Sequence, residues 1–282
     1  MKLYYNMTNE YTSLVFEGGG VRGIAYVGIM RKLDEKGMLS NIKNVGGSSA
    51  GSQMATLVAL GFTVTEIEEI MIELPLESFK DNSCGCLRDI YRFFNEFGYN
   101  KGEFMNNYFE DIIQQKTGIK KATFQQLYER TNIHLKITGT CLETESLEIF
   151  DHVSTPDMPV SLAIHISSCI PFFFKAVKYN NKTYVDGGCL KNFPLDLFIN
   201  DEGRTLAFDL TSNEKEAYHE IQGMKDFTMG FVNMMLLAAN RIDSVSDKVD
   251  IVKIDTGNVS AFDFDIDSNK IQYLLDAGYK AL

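Results

Sequence analysis

Residues 45–51 read Val-Gly-Gly-Ser-Ser-Ala-Gly, between a short apolar strand predicted at Ile42–Val45 and a small apolar helix predicted at Ala50–Leu60. Their last five residues match G-x-S-x-G, a pattern that places a serine on a sharp strand-to-helix turn. Such a turn closes only between small neighbours, and those of Ser49 are small: Gly47, Ser48, Ala50 and Gly51. The helix amides that follow favour an anion there. The stretch indicates a nucleophilic serine; the alternative is a glycine-rich turn in which Ser49 only caps the helix.

A second glycine-rich segment follows a strand predicted at Leu14–Phe16 and opens a helix predicted at Gly23–Lys36. It consists of Gly18, Gly19, Gly20, Val21, Arg22 and Gly23. It fits the dinucleotide pattern G-x-G-x-x-G, but that pattern needs a carboxylate at the end of the next strand, and residues 45–48 contain none. The other interpretation is an oxyanion hole, since consecutive glycines let two amides converge on one point. In adjacent parallel strands both loops share one sheet edge, so these amides would face Ser49. Arg22 either anchors the loop, sits near an anionic group or is a plain surface residue.

The order of the predicted elements is that of an α/β protein. Further strands are predicted at 133–137, 147–150, 206–210 and 251–254, and a hairpin at 177–185 turns at Asn180-Asn181. Long helices are predicted at 224–241 and from Ser268 onward. Gly37 and Gly61 stop the first two helices, and Thr65 with Glu68 forms a capping-box pattern before a third. No repeat or Pro/Ser-rich linker interrupts the chain, so we expect a single domain over residues 1–282.

Composition argues against several classes of protein. The net charge of −11 over 282 residues disfavours nucleic acid as a partner and a standing attraction to anionic membranes. No apolar run reaches the roughly 18 residues of a membrane span, and the first residues lack the apolar centre of a secretory signal. The five cysteines form no disulfide framework, and Cys84 with Cys86 supplies too few ligands for a metal site. Free thiols favour a reducing, cytoplasmic compartment.

A serine nucleophile usually needs a histidine as its base. The four candidates are His134, His152, His165 and His219, and none carries a local pattern that indicates this role. Residues 184–188, Tyr-Val-Asp-Gly-Gly, instead deliver Asp186 from a predicted strand into a glycine turn. Taken alone, this is an ordinary Asp-Gly turn.

The glycine loop, the G-x-S-x-G pattern and the Asp-Gly-Gly turn together resemble the patatin-like phospholipase family. The resemblance covers Leu14–Ile199 and includes residues 167–173 and Asn192-Phe193-Pro194. It implies a three-layer α/β/α sandwich with a mostly parallel central sheet. Residues 14–200 would form the catalytic core, and residues 201–282 would complete the same domain with strands and helices.

The resemblance also implies a chemistry. Ser49 would be the nucleophile and Asp186 the proton acceptor of a dyad, with Gly187 and Gly188 in the turn after the aspartate and no cofactor or metal. A carboxylate of ordinary pKa is a poor base, so close hydrogen bonding and a strong oxyanion hole would have to compensate. The substrates would be acyl esters of phospholipids, lysophospholipids or acylglycerols, met in transient contact with a membrane surface. The sequence does not disclose whether a protein activator is needed.

Other functions stay open at this stage. They are a transacylase with the same dyad, a catalytically weak lipid-binding module and, more remotely, a nucleotide-binding protein. A lipid groove or cap could use several aromatic side chains or the apolar helix at 224–241, although core packing explains such stripes equally well. These aromatic residues are Tyr91, Phe93, Phe94, Phe97, Tyr99, Phe172, Phe173 and Phe174.

Overall fold

The computed structural model describes residues 11–79, 95–212, 221–239 and 246–282. Its strands are β1 (Tyr11–Phe16), β2 (Asn44–Gly47), β3 (Gly98–Asn100), β4 (His134–Cys141), β5 (Ser146–Phe150), β6 (Phe172–Phe174), β7 (Val177–Tyr179), β8 (Lys182–Asp186), β9 (Arg204–Thr211) and β10 (Val249–Asp255). Outside the described ranges lie Cys84, Cys86, Tyr91, Phe93, Phe94, His219 and the last residues of the helix predicted at 224–241.

The helices surround these strands. They are α1 (Ala25–Glu35), α2 (Ala50–Ala59), α3 (Val64–Ile72), α4 (Glu103–Thr117), α5 (Phe124–Thr131), α6 (Val160–Ser167), α7 (Gly188–Lys191), α8 (Met224–Ala239) and α9 (Ser268–Lys280). Short 3₁₀ turns span Gly20–Ile24 and Leu76–Phe79. None of the helices in the described ranges is both long and apolar enough to cross a bilayer.

The central sheet is mostly parallel. Its hydrogen-bonded neighbours follow the order β10-β9-β1-β2-β4-β8-β7, and β5 pairs with β4. The first four pairings in that order are parallel, whereas β5, β8 and β7 are added antiparallel. Because β9 pairs with β1, the C-terminal strands extend the same sheet.

Both faces of the sheet are buried, as the alternation along β1 shows. Leu14 and Phe16 pack into the main core with residues of α1, α2 and α9. Val15 points to the opposite face and packs with Phe193 and Phe198. Helices lie on both sides of the sheet, so the predicted three-layer α/β/α class is confirmed.

The pairing of β4 places two strand ends against each other. Ile137 pairs with β2 on one edge and with β5 on the other, while Gly139 pairs with both β5 and β8. β8 therefore pairs with the same edge of β4 as β2 does, beyond the point at which the pairing with β2 ends. β2 is parallel to β4 and β8 antiparallel, so their carboxyl ends approach from opposite directions. This arrangement brings Asp186, the last residue of β8, close to the turn that follows Gly47.

One local prediction was wrong by two residues. The capping box of α3 is made by Thr63 and Glu66, not by Thr65 and Glu68. The Thr63 amide donates to the Glu66 carboxylate (2.7 Å), and the Glu66 amide donates to the Thr63 hydroxyl (3.2 Å). Both pairs fit the same pattern, and Thr63 makes the box because its extended backbone places it just before the helix.

Candidate active site

Ser49 occupies a strained turn between β2 and α2. Its φ is +51°, a left-handed conformation that few residues other than glycine adopt. The turn presses against β1, because a Cβ on Gly51 would lie 2.2 Å from the Phe16 carbonyl oxygen, and one on Gly47 would lie 2.6 Å from it. The Ser49 amide donates to the Ser167 hydroxyl on α6 (3.0 Å). Small residues are therefore required at both positions, and the serine is held by α6 as well as by its own turn.

Asp186 is buried at the end of β8, with 1% of its surface exposed. Its Oδ1 accepts a hydrogen bond from the Gly188 amide (2.6 Å), and its backbone amide donates to the Cys169 carbonyl (2.8 Å). Its Oδ2 makes no hydrogen bond of ordinary geometry with the residues that the structure describes. Burial raises the pKa of Asp186 to about 7, although the Ser49 side chain and the Gly188 amide act to lower it. The carboxyl is therefore a stronger base than an ordinary aspartate.

The glycine loop contacts the Ser49 turn. A Cβ on Gly18 would lie 3.1 Å from the Ser49 Cβ, and one on Gly23 would lie 2.9 Å from the Ala50 Cβ. Within the loop the amide of Gly18 donates to the Asn192 carbonyl (2.9 Å). The Gly18 amide is therefore already engaged by Asn192.

Other contacts of the loop show which amides remain available. The Val21 amide donates to Ala261 (3.0 Å), and both the amide and Nε of Arg22 donate to the Gly19 carbonyl, so Arg22 anchors the loop. The amides of Gly19 and Gly20 donate to none of the residues in the described ranges. Gly20 has a left-handed backbone (φ +55°) and is the first residue of the 3₁₀ turn.

An apolar pocket opens beside Ser49. Gly20 and Ser49 line one part of it, and the rest is lined by side chains from several elements, among them Ile24, Met71, Leu74, Phe79, Met105, Ile170, Phe174 and Phe264. Its free volume is about 30 Å³, room for one or two water-sized groups. Of the aromatic residues expected near the groove, Phe174 lines this pocket, whereas Phe97 lines a separate cleft.

The described histidines lie elsewhere. His134 contacts the Asp151 carboxylate (3.2 Å), His152 stacks on Tyr128 (3.7 Å between ring centroids), and His165 lines the separate cleft. In the described ranges no histidine is hydrogen-bonded to Ser49 or Asp186, and no cluster of His, Cys, Asp or Glu side chains could hold a metal ion.

Two buried residues near the loop were not singled out in the sequence. Glu17 is a carboxyl at the end of an otherwise apolar strand, and this contrast was a usable signal. Asn192 was noted only as part of a resembling segment. Both are hydrogen-bonded to each other and to the strands or loops around the site.

Comparison with known proteins identifies the family. The sequence profile of the patatin-like phospholipases matches residues 14–199. The chain belongs to the patatin-like phospholipase family.

Individual proteins and a solved structure also resemble this chain. YqhO of Bacillus subtilis is 32% identical over 73% of this chain and 73% of its own length. The "probable lipid hydrolase 463L" of Invertebrate iridescent virus 6 is 28% identical over 67% of this chain and 63% of its own length. The crystal structure of VipD from Legionella pneumophila superposes with a TM-score of 0.64 at 17% identity, covering 96% of this chain and 66% of VipD. The patatin-like chain thus shares its fold with a protein that is only 17% identical to it.

Proposed function

We propose that this patatin-like protein hydrolyses acyl esters of lipids through Ser49 and Asp186. The observation that carries the proposal is the buried Asp186 carboxyl beside the strained Ser49 turn. Its Oδ2 has no standard partner among the described residues, and burial raises its pKa to about 7. A general base works best when its pKa lies near the working pH.

This geometry supports the following reaction. Ser49 Oγ attacks the ester carbonyl carbon while Asp186 Oδ2 takes the hydroxyl proton. The carbonyl oxygen becomes an anion, held by the amides of Gly19 and Gly20. The proton then passes to the leaving alcohol, and an acyl-enzyme remains on Ser49. Asp186 next takes a proton from water, the hydroxide adds to the acyl carbon, and Ser49 regains its proton as the fatty acid leaves.

The pocket supports an acyl chain as the group that is transferred. Its lining is mostly apolar, with Gln53 and Ser168 as polar side chains besides Ser49, which suits an alkyl chain better than a sugar or a peptide. The related 463L protein is named as a probable lipid hydrolase. The test is incubation with defined phospholipids, lysophospholipids and acylglycerols, with the products identified by mass spectrometry. If no fatty acid is released from any of these substrates, the proposal is overturned.

Filling the pocket should lower the turnover of esters whose acyl chain is longer than acetyl. In the Leu74→Trp variant the larger side chain closes a cavity of about 30 Å³. We expect kcat/KM for a butanoyl ester, whose acyl chain is two carbons longer than acetyl, to fall about tenfold while that for an acetyl ester changes less than about twofold. Leu142→Trp, at a side chain 49% exposed in the β4–β5 turn, is the matched control. Equal losses on both esters would show that the chain binds elsewhere.

The outer face of α8 is proposed as the surface that meets the lipid. Its inner face packs near the site, since a Cβ on Gly188 would lie 3.1 Å from Leu236. The outer side chains recur at helical spacing, each between 58% and 67% exposed: Met224, Phe227, Phe231, Met234 and Leu237. Residues 227–239 carry no charge, and the chain's net charge is −11. Such a face suits a zwitterionic bilayer better than an anionic one.

Charging this face should separate binding to vesicles from chemistry. In a Phe227→Asp/Phe231→Asp variant we expect sedimentation with phosphatidylcholine vesicles to fall at least about tenfold, because two aromatic anchors are lost. Turnover of a short soluble ester should stay within about twofold of wild type. Val153→Asp, at a side chain 69% exposed in the turn after β5, is the control. Unchanged vesicle binding would exclude α8 as the docking surface.

A further inference from the structure

Asn192 holds the start of the glycine loop by both its main chain and its side chain. It follows α7 and is 5% exposed. Its carbonyl accepts from the Gly18 amide (2.9 Å), and its Nδ2 donates to the Gly18 carbonyl (2.9 Å). Gly18 is thereby fixed at both of its backbone polar groups, directly before the amides of Gly19 and Gly20.

The same side chain also lies against the Asp186 turn. Its Oδ1 is 2.2 Å from where a Cβ on Gly18 would lie and 2.6 Å from where a Cβ on Gly188 would lie. The hypothetical Gly188 Cβ would also be 2.9 Å from Asp186 Oδ1. The Asn192 amide therefore fills the space between the glycine loop and the turn that carries Asp186.

The Glu17 carboxyl holds the Asn192 side chain in place. Its carboxyl is 2% exposed and accepts from Asn192 Nδ2 (3.1 Å) at one oxygen and from the Leu210 amide (2.6 Å) at the other. Its own carbonyl accepts from the fully buried Tyr26 hydroxyl (2.6 Å). One carboxyl thus joins the ends of β1 and β9 to the residue that separates the two loops.

We propose that Asn192 and Glu17 act together as positioning residues that set the Gly19 and Gly20 amides in register with Ser49 and Asp186. The proposal rests on the proposed ester hydrolysis. Neither residue exchanges a proton with substrate. Their effect is on where the oxyanion donors stand, and a displacement of about 1 Å at such a site can lower the rate about a hundredfold.

The chemistry of Glu17 supports a dedicated role. Burial, with the Asp209 charge nearby, raises the pKa of Glu17 to about 8, although the Leu210 amide and Arg22 act to lower it. A well-packed apolar side chain would avoid the desolvation of a carboxyl at this position. The chain instead has a carboxyl here, whose oxygens accept from Asn192 and from the Leu210 amide.

The test exchanges the amide and the carboxyl group between positions 192 and 17. Asn192→Asp removes the donor to Glu17 and Gly18, and Glu17→Gln places an amide opposite the Asn192 amide. In the double variant the amide introduced at position 17 again has an acceptor, the carboxylate introduced at position 192, while the oxygen of that amide still accepts from Leu210. We expect each single variant to lower kcat on a short soluble ester at least about tenfold with KM within about twofold, and the exchanged pair to recover several-fold over Asn192→Asp.

A second readout does not depend on turnover. Amide hydrogen exchange at Gly18, whose amide donates to the Asn192 carbonyl, should be at least about tenfold faster in Asn192→Asp than in wild type, and should slow again in the exchanged pair. If Asn192→Asp does not fold, Glu17→Gln alone is compared by both measurements. Asn44→Ala, which removes an amide hydrogen bond to Ser13 at the far end of β2, is the control.

The outcomes separate the two proposals. If amide hydrogen exchange changes across the variants as expected but the wild type turns over no ester, the result counts against the proposed function and not against positioning. If the wild type is active and the single variants have the same kcat and the same amide hydrogen exchange as the wild type, the positioning role is overturned. Losses that the exchanged pair does not reverse, or that Asn44→Ala reproduces, overturn it as well.

Discussion

The Ser49→Ala variant is expected to fold and to lose ester turnover by about 10⁴-fold or more. Alanine keeps the small size that the turn between Gly47 and Gly51 demands, so the packing on β1 stays intact. It removes the only atom that can form the acyl-enzyme in the proposed reaction. The measurements are kcat/KM on a soluble ester and covalent labelling by a fluorophosphonate probe, which reacts with an activated serine.

A buried serine on α6 gives the matched control. Ser161 is 4% exposed, donates to Glu110 (2.8 Å) and does not line the pocket. Ser161→Ala should retain labelling and turnover within about twofold. Labelling that persists in Ser49→Ala would assign the nucleophile to a different serine.

Local features of the fold could be predicted because neighbouring residues determine them. Asn180 and Asn181 both adopt left-handed backbone (φ +48° and +61°), which asparagine tolerates, so the hairpin turns at the predicted residues. Gly37 and Gly61 are left-handed just beyond the first two helices, as predicted for helix stops. In each case the signal and the structure lie within a few residues.

Helix α6 was missed because its environment removes the usual pattern. Val160, Ala163, Ile164 and Ile166 are all fully buried, so the helix is apolar on most of its faces. A helix of that kind has no polar face to reveal a 3.6-residue period. Its contribution to the site, the Ser167 hydroxyl on the Ser49 amide, was hidden with it.

The details of the site depend on contacts between distant residues. The sequence predicted glycine amides facing Ser49, but it could not show that Gly18 gives its amide to Asn192, 174 positions away. Nor could it show that burial gives Asp186 a pKa of about 7, which changes the expectation of an ordinary, weak carboxylate base. Such properties arise only when β8 and β2 meet along β4.

The Asp186→Asn variant is expected to keep its fold and to lower kcat/KM by about 10³-fold or more, since an amide cannot accept the Ser49 proton. In wild type the base is the ionised carboxyl. Its pKa is about 7, so kcat/KM should rise with pH through about 7 and then level off. The variant's residual rate should lack this rise. A wild-type profile that rises near pH 4 would show that Asp186 is not a buried base.

The same carboxyl links stability to pH. In the unfolded chain Asp186 loses its proton near pH 3.8, whereas in the folded protein it keeps it up to about pH 7. Between these values the folded state binds more protons, so the free energy of unfolding falls as pH rises, by on the order of 4 kcal/mol in total. Below pH 3.8 the contribution is fully present, and above pH 7 it is lost.

Asp186→Asn removes that dependence while keeping the side chain's shape. The thermal midpoint of the variant, relative to wild type, should therefore increase by several degrees between pH 4 and pH 8. Asp157→Asn, at an exposed aspartate, should follow wild type across the range. Parallel curves for wild type and Asp186→Asn would mean that the folded protein does not hold this proton. A variant that is more stable at pH 8 yet inactive would show that the chain gives up stability there to keep a charged base beside Ser49.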